Sequence, residues 1–172
     1  ICRIEASATA SSTKAMRTSR IVNPAWRAGR ASRCAIASAR AAFNLTRQFV
    51  MERKVFGKPL SKMQNTEFRM AEMDTEIDIM QVYIDHCVAL HNEGRLTANM
   101  GAKCKLQATE IEWRMLDLGV QLHGGAGYMM EYPISYMFTS ARINRILAGS
   151  SEIMKYIIGR DVFRDEYSSI LD

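Results

Sequence analysis

The 172-residue chain is 48% hydrophobic with only three prolines, which is enough apolar material for one domain with a core and too much for a disordered chain. Its formal charge of +5 is unevenly placed: residues 1–34 hold six Arg and one Lys against Glu5, a net +6, and the rest of the chain comes to −1. The basic residues therefore form no patterned face with interleaved aromatics, which excludes a nucleic-acid reader. No apolar run approaches the roughly 18 residues that a membrane span needs.

In chain order, residues 1–34 are rich in Ala, Ser and Arg and read as an irregular segment ahead of a domain at 35–172. Two readings of it stay open: an organelle transit peptide, or out-of-frame sequence joined to a real domain. From Ala35 the helix formers dominate, and a helix is expected to Arg53, stopped by Gly57 and Pro59. Ser61 is expected to cap a long helix ending near Asn92-Glu93-Gly94. Its apolar stripe is Met70, Met73, Ile77, Met80, Ile84 and Cys87, in steps of three and four that share one helix face. Thr97 can cap the next helix, whose stripe is Cys104, Ala108, Ile111, Met115, Leu118 and Leu122. Gly124-Gly125 breaks the chain. Glu131-Tyr132-Pro133 opens a short helix ending near Leu147, and Gly149-Ser150-Ser151 opens a last one to about Val162.

Two long stripes, short connections and no alternating stretch predict an all-α fold, an antiparallel bundle of the four-helix type. Burying each stripe side chain contributes about 1.5–3 kcal/mol, so the stripes explain a fold without implying a function. Cys2, Cys34, Cys87 and Cys104 form no CxxC pair and read as reduced intracellular thiols. His86 and His91, five apart, point to different faces and read as ordinary helix residues, not metal ligands.

Four short stretches carry more. They are Glu52-Arg53-Lys54-Val55-Phe56-Gly57-Lys58-Pro59-Leu60; Gln64; Gln121-Leu122-His123-Gly124-Gly125-Ala126-Gly127-Tyr128 with Glu131-Tyr132-Pro133; and Ala148-Gly149-Ser150-Ser151-Glu152-Ile153-Met154-Lys155. In this order and spacing they resemble the C-terminal domain of acyl-CoA dehydrogenases, nearest to the long-chain and isovaleryl types, over about residues 35–165. The resemblance implies FAD as cofactor and α,β-dehydrogenation of an acyl-CoA thioester. It also implies an electron-transfer flavoprotein as acceptor and a homo-oligomer, a dimer or tetramer. The compartment would be intracellular, the mitochondrial matrix in a eukaryote or the cytoplasm in a bacterium.

Residue by residue, the resemblance implies that Arg53 reaches the FAD pyrophosphate, where a planar guanidinium fork suits the anion. Phe56 and Gln64 match contacts to the same cofactor. Gln121, Leu122, His123, Gly124 and Gly125 match a further FAD loop, and its glycines let backbone approach. Ser150, Ser151 and Glu152 match a third contact, at a helix N-terminus. Gly149 matches a substrate contact. The three stretches are expected to converge on one dinucleotide.

The sequence also departs from the family. The two usual positions of the catalytic Glu are Ala148 and Arg27 here, and neither can accept a proton. Around Arg30–Cys34 a one-base frame change can encode Glu-Arg-Leu-Ala-Val, the stretch that the long-chain type carries. An oxidase or flavin monooxygenase on the same fold, or a non-catalytic helical assembly module, are the alternative functions.

Overall fold

The computed structural model describes residues 24–164. Of the segment expected to be irregular, residues 1–23 lie outside the described residues, and residues 24–34 are helical. Helix α1 spans Pro24–Glu52, so the expected start at Ala35 falls inside it. Proline suits a first turn, where its missing N–H breaks no helical bond. Ala28, Ser32, Ala35, Ala39, Ala42 and Thr46 recur in steps of four and three, and all are buried. Such small residues carry little hydrophobic signal in a sequence, yet they let a neighbouring helix approach closely. The buried Ser32 hydroxyl is satisfied by donating to the Ala28 carbonyl at 2.7 Å.

Past α1 the chain forms a feature the sequence reading did not expect. Strand β1, Lys54–Val55, pairs antiparallel with β2, Lys58–Pro59. Phe56 (φ 50°) and Gly57 (φ 77°) link them, both left-handed, as the right-handed twist of a two-residue hairpin requires. A 3₁₀ turn, Leu60–Lys62, absorbs Ser61. Helix α2 therefore starts after it, at Gln64, runs to Asn92, and has no side-chain cap at Met63; the expected capping role of Ser61 is not realised. Helix α3 is Ala98–His123, and Thr97 caps it as expected, accepting from the Met100 N–H at 3.2 Å. A single helical turn at Gly125–Tyr128 leads to α4, Pro133–Ala141, with its proline in the first turn. That helix stops short of Leu147 because a 3₁₀ turn takes over at Arg142–Arg145. Helix α5 is Ser151–Val162.

Side-chain pairs give the helix directions. Phe49 stacks on His123 and Ser38 meets Glu112, so α1 and α3 run parallel. Cys87 meets Cys104 and Arg114 pairs with Glu76, so α2 is antiparallel to α3 and hence to α1, to which Arg40 ties it through Asp74 and Asp78. Ile134 lies beside Gly119, Phe138 against Trp113, Ser151 against Glu110 and Asp161 against Asn99. Helices α4 and α5 therefore form one antiparallel run along α3, interrupted at 142–150. The architecture is an up-down-up-down bundle whose fourth member is a broken helix.

Both predicted stripes are in the core, with only Met70 and Leu122 half-buried at the ends. Helix α3 is buried well beyond its stripe: Lys105, Thr109, Glu112, Leu116 and Gly119 are sealed as well.

Candidate functional site

One end of the bundle gathers four of the singled-out positions or stretches. The backbone of Arg53 is fixed on both sides: its N–H donates to the Phe49 carbonyl at 2.8 Å, and its own carbonyl accepts from the Leu60 N–H at 2.7 Å. Its side chain, with those of Lys54 and Lys58, is exposed. Phe56 between them is 98% exposed. A non-glycine residue in the left-handed region costs about 1–2 kcal/mol, and an aromatic ring in solvent returns nothing to the fold. Strain and exposure at one residue single Phe56 out as a candidate contact residue. Gln64 is exposed as the first residue of α2, where free backbone N–H groups add positive potential.

The C-terminus of α3 reaches the same end, because the Phe49 and His123 rings stack with centroids 4.0 Å apart. Gln121 is exposed and its carbonyl accepts the Gly124 N–H at 3.1 Å. Gly124 has φ 59° and ψ −136°, a region closed to side chains. A Cβ at Gly124 or Gly125 would meet nothing within 4 Å, whereas one at Gly127 would lie 2.5 Å from the Val120 carbonyl oxygen. Gly127 is thus required by packing, and the Gly124-Gly125 pair is left open to solvent. Leu122 is half-buried against the core. His123 is buried beneath the glycines rather than presented with them, and its Nδ1–H donates to the Gly119 carbonyl at 2.7 Å. Burial holds its pKa below the ordinary 6.5, which keeps it neutral.

The third stretch lies elsewhere. Ser150 caps α5, accepting from the Ile153 N–H at 3.5 Å. The exposed Glu152 carboxylate takes its own backbone N–H and the Ser150 hydroxyl, which hold it below the usual carboxylate range. This helix entrance already carries an anion of its own, so it suits a neutral hydrogen-bonding edge better than a phosphate. Ser151 is buried and donates to Glu110 Oε1 at 3.1 Å. Ahead of the cap, Ala148 (φ 56°) and Gly149 (φ 100°) are both left-handed. A Cβ at Gly149 would lie 2.5 Å from Met154 Cε. Ala148 and Arg27, the two positions where a catalytic carboxylate was sought, are both exposed and carry none.

Ser151 sits level with Glu110, thirteen residues before His123, or about 20 Å along α3 at 1.5 Å per residue. One chain therefore brings Arg53, Phe56, Gln64 and Gln121–Gly125 to one end and sets Ser150–Glu152 apart on its flank. The sequence reading missed the groups that hold this flank. Asn144 Nδ2 donates to both Glu112 oxygens at 2.9 and 3.1 Å, and Arg145 bonds both Glu110 oxygens at 2.9 Å. Glu112 stands four residues after Ala108 and three before Met115, both stripe positions, which was the available signal: an acid on the core-facing side of a helix needs a partner.

A family model described as the acyl-CoA dehydrogenase C-terminal domain matches residues 20–163. The chain belongs to the acyl-CoA dehydrogenase family. It is 36% identical over 132 residues to the mitochondrial long-chain specific acyl-CoA dehydrogenase of Sus scrofa, covering 77% of this chain and 31% of that protein. It is 35% identical over 130 residues to the acryloyl-CoA reductase (NADH) of Anaerotignum propionicum, covering 76% and 33%. Among solved structures, the acyl-CoA dehydrogenase of Geobacillus kaustophilus superposes with a TM-score of 0.80 at 34% identity, over 82% of this chain and 37% of that one. Butyryl-CoA dehydrogenase of Megasphaera elsdenii gives 0.77 at 29%, over 81% and 36%. The chain thus spans about a third of the length of the acyl-CoA dehydrogenases it matches. The family is FAD-dependent, and the all-α bundle is its C-terminal domain fold.

Proposed function

We propose that this chain is the C-terminal FAD-binding and assembly domain of an enzyme that dehydrogenates acyl-CoA thioesters. The observation that carries this is the hairpin end, where an exposed cationic cluster, Arg53, Lys54 and Lys58, surrounds a strained exposed Phe56 beside the open Gly124-Gly125 turn. Cations for a pyrophosphate, a ring for stacking and backbone without side chains are what an anionic dinucleotide needs. FAD, when bound, supplies the acceptor for the substrate's β-hydrogen.

The separation of about 20 Å between the hairpin end and the Ser150–Glu152 entrance favours a cofactor shared between two copies. The hairpin end of one copy would hold the pyrophosphate, and the α5 entrance of the other would hydrogen-bond the ring system. Gly149 would face the acyl-CoA. An open groove of about 560 Å³ between α2 and α3, lined by Ile79, Met80, Tyr83 and Ile111, gives copies an apolar surface to meet on. An electron-transfer flavoprotein would take the electrons. The compartment would be the mitochondrial matrix in a eukaryote or the cytoplasm in a bacterium; among the described residues no helix is long and apolar enough to cross a membrane.

The absence of a carboxylate at Ala148 and Arg27 favours a second reading for the chain by itself, a non-catalytic assembly module. Purification in the presence of FAD separates the two. The first reading expects a yellow oligomer, and Arg53→Ala to weaken FAD binding about tenfold, as loss of a charge-assisted contact should. A colourless protein that still self-associates supports the second.

A further inference from the structure

We propose that Glu110 is a positioning residue for the flavin-facing break between α4 and α5, acting through Arg145 and Ser151. The proposal rests on the reading of Ser150–Glu152 as a cofactor contact. Helices α4 and α5 lie in one line along α3, so the simplest course for the chain would be a single helix. At 142–150 the helix instead gives way to a 3₁₀ turn and two left-handed residues, Ala148 and Gly149. Ile143, Ile146 and Leu147 in this break are each about half in solvent, so apolar burial does little to fix its course.

What holds it is polar and comes from α3. Glu110 bonds Arg145 on the near side of the break, Nε to Oε1 and Nη2 to Oε2, both at 2.9 Å. The same Oε1 accepts the Ser151 hydroxyl on the far side at 3.1 Å. One carboxylate thus clamps both ends of the loop. A two-point guanidinium pair fixes orientation as well as distance. The Arg145 guanidinium also lies 5.7 Å from the centroid of the Trp113 ring, which adds a cation–π attraction to the pair. Asn144, bonded to both oxygens of buried Glu112, anchors the entry to the break a second time. Ser151 is the first residue of α5, so moving Glu110 moves the cap that presents Ser150 and Glu152.

The test uses the full chain and three variants, Glu110→Gln, Glu110→Asp and Arg145→Gln. FAD is titrated by fluorescence quenching, the circular dichroism of bound flavin is recorded, and amide exchange is mapped by mass spectrometry. Glu110→Gln and Arg145→Gln should each weaken FAD about tenfold and alter the flavin dichroism. Glu110→Asp, which keeps the charge, should recover part of both. Exchange should quicken over 146–153 and stay unchanged in α1–α3. Unchanged FAD affinity in both charge-removing variants overturns the proposal, as does exchange that rises equally throughout the bundle. If the unaltered chain binds no FAD, the cofactor reading itself fails. The clamp is then judged by exchange alone: faster exchange confined to 146–153 upholds it and unchanged exchange overturns it.

Discussion

Helix α1 packs against α3 along a seam of mostly small side chains, and the broken run of α4 and α5 packs against the same helix through fewer, larger ones helped by polar clamps. The seam is sealed by residues too small to reach far: Ala35, Ala39 and Ala42 are fully buried against α3. The broken run buries Ile134, Ala141 and Met154 but leaves Tyr136, Ile143, Ile146, Leu147, Ile153 and Tyr156 mostly in solvent, and across its break it is held by Glu110 and Glu112. The seam completes itself within one chain. The broken run presents apolar surface that a further domain or a second copy could cover. The contrast separates a face that one chain seals from a face that leaves apolar side chains in solvent.

The contrast can be broken most severely from inside. Met115→Ala in the fully buried stripe of α3 should destabilise by about 2–5 kcal/mol, read as a lower urea midpoint with unchanged slope. Overpacking the seam with Ala39→Leu should cost about 1–3 kcal/mol by forcing α1 and α3 apart, whereas Ala41→Leu on the exposed side of α1 should not. In the break, Ala148→Gly should stabilise by about 1 kcal/mol, because glycine takes a left-handed backbone without strain; thermal melts would show it.

His123 sharpens the contrast through pH. Burial lowers its folded pKa below the 6.5 of the unfolded chain, so the unfolded state binds the proton more readily. Its contribution to stability is therefore intact above about pH 6.5 and is lost as pH falls. His123→Phe should flatten that part of the pH–stability curve and retain the stack on Phe49. The smallest effect on folding is expected from Leu147→Ser, within about 0.5 kcal/mol because the side chain is half in solvent. The same change should reduce self-association in sedimentation if the break is a joining surface.

Much of this was legible in the residues. Ile77, Met80, Met115 and their neighbours announced the core because a helix repeats its faces every three to four residues, and Thr97, Pro133 and Ser150 marked helix starts through local hydrogen-bonding chemistry. The stretches that carry the family resemblance were legible as motifs. Three features were not. The stripe Ala28–Ser32–Ala35 was hidden, since small side chains carry almost no hydrophobic signal. Gly57 with Pro59 read as a helix stop, although the backbone there turns a hairpin. The partners of Glu110 and Glu112 were hidden, since Asn144, Arg145 and Ser151 lie 32 to 41 residues further along the chain.

The sequence by itself determined the all-helical class, the two apolar stripes, the family and the absence of a carboxylate at Ala148 and Arg27. Each of these depends on residue type and short-range spacing alone. Only the tertiary structure decided that α4 and α5 form a single interrupted run, that Glu110 spans the interruption, and that Arg53 and Ser151 lie at different levels of the same bundle. Those facts depend on which residues far apart in the chain come level along α3, and local periodicity carries no record of that alignment.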